Sequence, residues 1–305
     1  MNATRSKKIL KVALIQHKVH PSPSETLDYI EQEVAKSTEQ GARLVVLQEL
    51  HNGPYFCQTE NVDEFDRAES IPGPSTERLG AMARKYNCVI VGSLFEKRAN
   101  GLYHNTAVVL EQDGSLAGTF RKMHIPDDPG FYEKFYFTPG DADGARQGFT
   151  PIETSVGKLG VLVCWDQWYP EAARLMALSG ADLLIYPTAI GWDPADEQDE
   201  KNRQLDAWVT VQRGHAIANN LPVLSCNRTG FEAAPDDSGN GIEFWGNSFV
   251  CGPQGEFLAR AKASGEKLLI AEIDMERCEQ IRRIWPYLRD RRIDAYTNLT
   301  RRFID

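Results

Sequence analysis

The chain has 305 residues, 42% hydrophobic and 25% charged, and its 43 acidic residues outnumber its 34 basic residues to give a net charge of −9. This composition is typical of a globular protein and excludes a disordered or fibrous chain. No run of Lys and Arg is long enough to follow a phosphate backbone, so we expect no nucleic-acid partner.

The N-terminal stretch MNATRSKKILKVALIQ is basic, but its apolar part is short and is interrupted by Lys11. It therefore has the form of neither a signal peptide nor a membrane span, and we expect a cytoplasmic protein with no membrane partner. The six cysteines include no Cys-x-x-Cys pair, which argues against a zinc site and a disulfide framework. We therefore expect no metal and no cofactor.

The first part of the chain predicts apolar strands that alternate with amphipathic helices. Residues 43–47 form a short apolar segment that runs directly into Gln48 and Glu49. Ahead of it, Ser22-Pro23-Ser24-Glu25 has the form of a capping box with proline at the first helical position. The predicted elements are strands at 9–16, 43–47 and 88–95, helices at 23–40 and 76–86, and a long covering loop at 51–74.

An antiparallel hairpin follows. Asp113-Gly114 separates apolar segments at 102–111 and 116–121, which is a strong short-range hairpin signal, and the second arm runs into Lys122. The next stretch, KMHIPDDPGFYEKFYFTPG, is rich in aromatic and charged residues, and its three prolines exclude a long helix. We therefore predict a functional loop over residues 122–140.

The stretch GKLGVLVCWDQWYPEAARLMALSG predicts a buried strand at 159–163, a turn that carries Cys164, and a helix that begins at Pro170 and ends at Gly180. In a mostly parallel sheet, reactive groups gather at the carboxyl ends of strands, and a nearby helix N-terminus favours a thiolate. Cys164 is thus a candidate nucleophile, although a free cysteine is more often a small buried hydrophobe. The apolar face of this helix is predicted at Ala173, Leu175, Met176 and Leu178.

The remaining elements complete a two-sheet core flanked by helices. No linker rich in Pro, Gly or Ser divides the chain, so we predict a single domain over residues 1–305. The arginine-rich segment 275–305 is predicted to be an arm that contacts a partner subunit. The predicted elements here are strands at 182–186, 223–226, 248–250, 256–261 and 267–273 and a helix at about 202–219.

Three reactive side chains stand at predicted strand ends: Glu49, Lys122 and Cys164. A thiol is mostly protonated at neutral pH, so a nucleophilic cysteine requires a base and benefits from a nearby cation. Glu49 supplies the base. Lys122 is expected to lower the pKa of the thiol and to stabilise an oxyanion together with the backbone N–H that follows the cysteine.

The motifs LVVLQEL, FRKMHIP and GVLVCWDQWYPE, in this order, resemble those of the nitrilase superfamily of carbon–nitrogen hydrolases. The resemblance extends over nearly the whole chain and implies an α/β fold, a four-layer α-β-β-α sandwich. It also implies that Glu49 is the general base, Lys122 the oxyanion stabiliser and Cys164 the nucleophile. Glu133 in FYEKFYF matches a second glutamate that supports Lys122. A homo-oligomer built from dimers is implied as well.

Within the superfamily, KMHIPDDPGFYEKFYFTPGD, CWDQWYPEAARLMAL and YPTAIGW are most similar to the branch that hydrolyses N-carbamoylputrescine to putrescine, carbon dioxide and ammonia through a cysteine-bound thioester. This resemblance implies a small cationic carbamoyl-amine as the substrate. A cationic amine requires carboxylates and aromatic faces, and of the acidic loop residues we favour Asp127 over Asp128, Asp193, Asp196 and Glu197. The predicted substrate-binding residues are Tyr55, Asp127, Trp165, Thr188 and Ala189.

Two alternatives remain open. Another amidase or carbamoylase of the superfamily, such as one that acts on N-carbamoyl-β-alanine, would need an Arg or Lys to bind the substrate carboxylate, and the acidic loops argue against it. A noncatalytic interaction module on the same scaffold is disfavoured by the intact triad.

Overall fold

The protein is described by a computed structural model over residues 8–142, 148–236 and 240–305. Two six-stranded sheets pack face to face, and helices cover their outer faces. The first sheet has the order β15 (Lys267–Asp274), β1 (Ile9–Gln16), β2 (Leu44–Leu47), β3 (Val89–Ala99), β4 (Leu102–Leu110), β5 (Leu116–Arg121). The second has the order β14 (Phe257–Arg260), β13 (Phe249–Cys251), β10 (Val223–Asn227), β8 (Leu183–Thr188), β7 (Gly157–Val161), β6 (Ile152–Thr154).

A small third sheet lies beside these two and consists of β11 (Thr229–Ala233), β12 (Gly241–Trp245) and β9 (Gly191–Trp192), with β12 paired antiparallel to both neighbours. The helices are α1 (Pro23–Glu39), α2 (Pro74–Tyr86), the one-turn α3 (Glu133–Tyr136), α4 (Pro170–Leu178), α5 (Gln198–Asn219) and α6 (Met275–Ile284). None of the helices in the described ranges is long and apolar enough to cross a bilayer.

The side chains of β1 show how the layers form. Successive strand residues point to opposite faces of a sheet. Val12 and Leu14 pack in the cluster between the two sheets. Ala13 and Ile15 pack instead with Ile30 of α1 in the cluster under the helices. Because both faces of the first sheet are buried in this way, the predicted four-layer α-β-β-α sandwich is confirmed.

Parallel strands at the centre of each sheet position the site. Strands β1, β2 and β3 are parallel in the first sheet, and β7, β8 and β10 are parallel in the second. Their carboxyl ends lie on the same side, as expected for an α/β sheet whose site forms where strands end. Glu49 follows β2, Cys164 follows β7, and Arg228 follows β10.

The structure corrects several predicted details. Helix α5 begins at Gln198, four residues before the predicted start, because Asp199 and Glu200 suit the positive end of the helix dipole. In α4, Leu175 and Leu178 are 43% and 46% exposed, so they are not core positions as predicted. The buried face of α4 consists of Ala172, Ala173, Met176 and Ala177. The three-stranded sheet was not predicted.

Candidate active site

Glu49 lies just beyond the end of β2, on a strained turn. The next residue, Leu50, adopts a left-handed backbone conformation with φ of 47°, which is costly for a residue with a side chain. Two groups hold the turn: the Ser93 hydroxyl accepts the Leu50 N–H at 3.3 Å, and Arg228 donates to the backbone carbonyls of Glu49 and Leu50 at 3.2 and 2.8 Å. The turn therefore fixes a fully buried carboxylate.

Arg228 itself is held by Glu232, whose carboxylate accepts from the guanidinium at 2.7 Å and from the Tyr55 N–H at 2.8 Å. Arg228 also donates to the carbonyl of Gly53 at 2.9 Å. A residue that follows a strand of the second sheet thus holds the loop after Glu49, which follows a strand of the first sheet. The sequence does contain a signal for Arg228: like Glu49, it is a charged residue that follows a buried strand. The sequence analysis did not use this signal.

Lys122 follows β5 and lies between two carboxylates. Its Nζ donates to Glu49 Oε1 at 2.8 Å and to Glu133 Oε2 at 2.6 Å, and all three side chains are buried. Burial alone would lower the pKa of Lys122, but the charges of Glu133 and Glu49 raise it well above its ordinary value. Lys122 is therefore a permanent cation in this site.

Glu133 begins α3 and completes the ion-pair group. Its Oε1 accepts the Tyr55 hydroxyl at 2.7 Å. Burial raises the pKa of Glu133 to about 7, although Lys122 acts in the opposite direction. Burial, followed by the charge of Glu133, also raises the pKa of Tyr55 well above its ordinary value, so Tyr55 remains a neutral donor. Tyr55 thus acts on Glu133 and is not among the residues that line the cavity described below.

Cys164 begins a one-turn 3-10 helix, Cys164–Trp168, three residues after the end of β7 and has φ of 42°. Its Sγ lies 3.9 Å from the carbonyl oxygen of Ala189. Burial raises the pKa of the thiol well above its ordinary value, and the charge of Glu49 adds to this, while Lys122 opposes it. Lys122 thus lowers the thiol pKa as expected, but desolvation by burial is the larger effect and the net pKa of Cys164 is raised.

Asp166 connects the cysteine turn to the lysine loop. One carboxylate oxygen accepts the backbone N–H of Val163 at 3.0 Å. The other accepts the backbone N–H of His124 at 2.9 Å and lies 2.7 Å from its Nδ1. The His124 ring in turn stacks on Tyr169 at 3.7 Å. Asp166 is buried, so it fixes Cys164 and Lys122 relative to one another. This contact was missed because a single Asp carries no sequence signature for it.

A polar pair lies behind Glu49. Asn105 of β4 donates from Nδ2 to Glu49 Oε1 at 2.6 Å, and the Ser93 hydroxyl donates to Asn105 Oδ1 at 2.9 Å. The other oxygen of Glu49, Oε2, is buried and has no hydrogen-bond partner among the described residues. The sequence analysis did not single out either residue, although polar side chains inside an apolar strand segment would have been a signal.

A cavity of about 590 Å³ opens onto Cys164 and Glu133. Its lining combines aromatic faces with several carboxylates, which suits a substrate with an apolar stem and a cationic end. Its aromatic lining residues are Phe131, Trp165, Trp168 and Trp245. Its charged lining residues are Asp128, Glu133, Asp193, Asp196, Glu200 and Arg203.

The predicted substrate-binding residues divide into three groups. Trp165 and Ala189 line the cavity. Thr188 is buried and does not line it; the Thr188 hydroxyl donates to the Tyr186 carbonyl at 3.1 Å and its own carbonyl accepts the Glu49 N–H at 3.3 Å. Asp127 is exposed outside the lining, 3.9 Å from Lys134, so its predicted contact with substrate does not agree with its position. The adjacent Asp128 lines the cavity instead.

No group of three His, Cys, Asp or Glu side chains in the described ranges is arranged to hold a metal ion. The six cysteines are all buried and unpaired. His215, which the sequence places inside a helix, contacts the Gln167 carbonyl at 2.7 Å as a packing residue of α5.

Comparisons with known proteins agree with this geometry. The family model for carbon-nitrogen hydrolases matches residues 11–283. The chain is 41% identical to an N-carbamoylputrescine amidase of Solanum lycopersicum over 291 residues, 95% of this chain and 94% of that protein. It is 40% identical to a citrullinase of Francisella tularensis subsp. tularensis over 296 residues, 96% and 99% of the two chains. The crystal structure of a carbon-nitrogen hydrolase from Helicobacter pylori G27 is similar with a TM-score of 0.92 and 54% identity, covering 97% of this chain and 100% of that one.

Proposed function

The chain belongs to the carbon-nitrogen hydrolase family and is an amidohydrolase, and from this premise we propose that it hydrolyses N-carbamoylputrescine to putrescine, carbon dioxide and ammonia. The reaction proceeds through a carbamoyl thioester on Cys164. The product putrescine places the enzyme in polyamine biosynthesis.

The charge of the cavity is the observation that carries this proposal. Five carboxylates line it, and Arg203 is the only cation among the described lining residues. Arg203 already donates to Glu200 at 2.7 Å. N-carbamoylputrescine has a ureido group at one end, a four-carbon stem and an ammonium at the other end. An acidic cavity attracts that ammonium and disfavours a substrate whose far end is a carboxylate.

Formation of the thioester begins with proton transfer from the Cys164 thiol to Glu49 as the sulfur attacks the ureido carbon. The developing oxyanion is stabilised by Lys122 Nζ and by the backbone N–H of Trp165. Glu49 then gives the proton to the departing nitrogen, the C–N bond breaks, and putrescine leaves. A ureido carbonyl is a poor electrophile because two nitrogens donate electrons to it, which explains the need for a fixed cation at the carbonyl oxygen.

Hydrolysis of the thioester reuses the same groups. Glu49 removes a proton from water, the hydroxide attacks the carbamoyl carbon, and Lys122 again stabilises the oxyanion. The thiolate leaves and recovers its proton from Glu49. The released carbamic acid decomposes to carbon dioxide and ammonia, so atoms and protons balance.

Asp128 is the carboxylate that we assign to the substrate ammonium. Asp193 accepts the Ala195 N–H at 2.8 Å, Asp196 accepts from Gln204 at 3.0 Å, and Glu200 pairs with Arg203. The Asp128 carboxylate has no such partner among the described residues, so it is free to pair with a cation that enters the cavity.

The test is a comparison of kcat/KM for three ureido compounds: N-carbamoylputrescine, citrulline and N-carbamoyl-β-alanine. Citrulline is included because it equals N-carbamoylputrescine with a carboxylate added beside the ammonium, and a citrullinase is among the relatives. We expect N-carbamoylputrescine to have the highest value. A higher value for either acid would refute the substrate assignment.

The covalent step has a separate test. Acid quenching of the enzyme during turnover, followed by mass spectrometry of the peptide that contains Cys164, should detect the mass of one added carbamoyl group. Cys164→Ala should give neither the adduct nor turnover. Full turnover by Cys164→Ala or by Glu49→Gln would contradict the mechanism.

We further propose a homo-oligomer built from dimers, with the C-terminal arm in subunit contacts. Large apolar side chains remain exposed on α4 and on the arm, which is unusual for a monomer surface. A chain that ends at Ile284 should dissociate in light scattering, whereas an unchanged mass would exclude the arm from the interface. The exposed residues are Leu175, Leu178, Ile284, Trp285, Ile293, Leu299, Phe303 and Ile304.

A further inference from the structure

The two oxygens of the Glu49 carboxylate have different surroundings. Oε1 accepts two hydrogen bonds, from Lys122 Nζ at 2.8 Å and from Asn105 Nδ2 at 2.6 Å. Oε2 is equally buried and accepts none from the described residues. A buried carboxylate oxygen without a donor is costly to maintain, so its persistence beside a nucleophile indicates a purpose.

Glu49 and Ser93 together orient the Asn105 amide, because the carboxylate oxygen of Glu49 requires a donor at one end and the Ser93 hydroxyl donates at the other. The Ser93 oxygen accepts the Leu50 N–H at 3.3 Å, which leaves its hydroxyl hydrogen to donate to Asn105 Oδ1 at 2.9 Å. With its oxygen engaged there, the amide presents its NH₂ group to Glu49. The reverse orientation would place the Asn105 carbonyl oxygen against Glu49 Oε1, two acceptors in contact, and would remove the acceptor to which the Ser93 hydroxyl donates.

We propose that Asn105, oriented by Ser93, is a positioning residue that directs the proton transfers of Glu49 to Oε2. With two donors on Oε1, a proton can add there only by displacing one of them. Oε2 has no donor to displace and remains the basic atom. The hydrogen bond from Asn105 also prevents rotation of the Glu49 carboxylate. Lys122 alone would permit that rotation, because Lys122 also donates to Glu133 at 2.6 Å.

This inference concerns the amidohydrolase chemistry and holds for whichever ureido compound is the substrate. A failure of the N-carbamoylputrescine assignment would therefore not refute this inference. The inference is tested by two assays: turnover of whichever substrate proves best, and chemical modification of the Cys164 thiol. The second assay is the pH dependence of alkylation of Cys164 by iodoacetamide, in which the sulfur displaces iodide and Glu49 takes the thiol proton.

Two substitutions at Asn105 distinguish a role in directing proton transfer from a role in packing. Asn105→Ala removes the donor, and we expect kcat to fall by about tenfold to a hundredfold with KM changed by less than about threefold. Asn105→Asp keeps the shape but replaces the donor with an acceptor against Glu49 Oε1. If Asn105 acts by donation, Asn105→Asp is at least as inactive as Asn105→Ala; if it acts only by filling space, Asn105→Asp is the milder change.

The pH profile gives a readout that packing does not move. A hydrogen bond to an ionised carboxylate favours the ionised form, so its loss makes the carboxylate easier to protonate. We therefore expect the acid limb of kcat/KM, and of Cys164 alkylation, to move to higher pH in Asn105→Ala. Profiles that coincide with those of the wild type would overturn the proposal.

Thr106→Val provides the matched control. Thr106 is the next residue of β4, is equally buried, and donates to Glu96 and not to Glu49. We expect this variant to lower the melting temperature without moving either pH profile. If the pH profiles of Thr106→Val shifted as far as those of Asn105→Ala, the loss of any buried polar side chain on β4 would disturb the site. That result would refute the role assigned to Asn105.

Ser93→Ala keeps the proposal testable if the Asn105 variants do not fold. It leaves the amide in place but removes the group that orients it, so we expect a smaller fall in kcat, of about threefold to tenfold, and an acid-limb shift in the same direction. Wild-type activity and profile in Ser93→Ala would contradict the orienting role.

Discussion

The floor and the rim of the cavity contain ion pairs that differ by only 0.1 Å in length but greatly in exposure to solvent. On the floor, Lys122 lies 2.6 Å from Glu133, and the two side chains are 0% and 1% exposed. On the rim, Arg203 lies 2.7 Å from Glu200, and their side chains are 68% and 42% exposed. Water screens the attraction between Arg203 and Glu200 on the rim. Lys122 and Glu133 on the floor have lost their contact with water and are stabilised instead by fixed hydrogen-bond partners. Distance alone therefore does not indicate what an ion pair contributes.

The difference suits two stages of the reaction. Charges on the floor must not reorganise while the oxyanion forms, so burial and neighbouring donors hold them. Charges on the rim need only attract and sort substrates, which exposed and adjustable groups do well. The predictions below test this division, beginning with the largest effect.

Lys122→Met should cause the largest loss. Removal of one partner from a buried ion-pair group strands the carboxylates of Glu49 and Glu133, so we expect the free energy of unfolding to fall by about 3–5 kcal/mol, together with loss of turnover. Urea unfolding measures the first effect and ammonia release the second. Lys85→Met is the control, because Lys85 lies 2.8 Å from Glu31 on the surface, and it should unfold as the wild type does. Equal losses in the two variants would remove the distinction between buried and exposed pairs.

Glu133→Gln should change the pH dependence of stability. Burial raises the pKa of Glu133 to about 7 in the folded protein, so between the ordinary value of 4.5 and about 7 the folded state binds a proton that the unfolded state releases. The free energy of unfolding of the wild type should therefore fall as pH rises through this window. The slope should be smaller in Glu133→Gln, and parallel curves from urea melts at several pH values would contradict the assignment.

Asp128→Asn should act on substrate selection. We expect kcat/KM for N-carbamoylputrescine to fall by about twofold to fivefold, as is usual for an exposed charge pair, with the value for neutral N-butylurea unchanged. Asp127→Asn is the control, since Asp127 is adjacent in sequence but outside the cavity lining. A larger effect from Asp127→Asn would restore the sequence-based choice and refute the assignment of Asp128.

Arg203→Gln should have the smallest effect. Its partner Glu200 keeps a contact with Gln204 at 3.4 Å, and both members of the pair are well solvated. We expect an unchanged melting temperature, and a change in kcat/KM for N-carbamoylputrescine of less than about twofold at physiological salt. A stability loss comparable to that of Lys122→Met would show that the rim is not a screened surface.

Much of the floor could be predicted from the sequence, because its residues follow buried strands. The segment at 43–47 marked a strand, and strand ends collect reactive groups, so Glu49 was identified without any contact information. The same rule indicates Lys122 and Cys164. What the sequence could not supply was the balance between burial and charge that raises the thiol pKa, since that balance depends on atoms distant along the chain.

The rim was harder to predict because it lies on loops. In the proline-rich stretch around Asp127 and Asp128 no regular periodicity indicates which carboxylate faces inward, and the structure places Asp128, not the favoured Asp127, in the cavity lining. The exposed face of α4 was misjudged for another reason: Leu175 and Leu178 carry the apolar character of core positions but lie on the outer surface. The small sheet formed by β9, β11 and β12 escaped prediction because its strands are short and partly polar.

The contact of Arg228 with the loop after Glu49 has a consequence for the order of assembly. Arg228 extends from the second sheet, while the carbonyls it binds belong to the loop after the first. Glu49 and Cys164, the proposed base and nucleophile, likewise follow strands of different sheets, at positions far apart in the chain. A folding intermediate with only one sheet formed would therefore have no working base. Recovery of ammonia release during refolding therefore requires that both sheets have formed and docked.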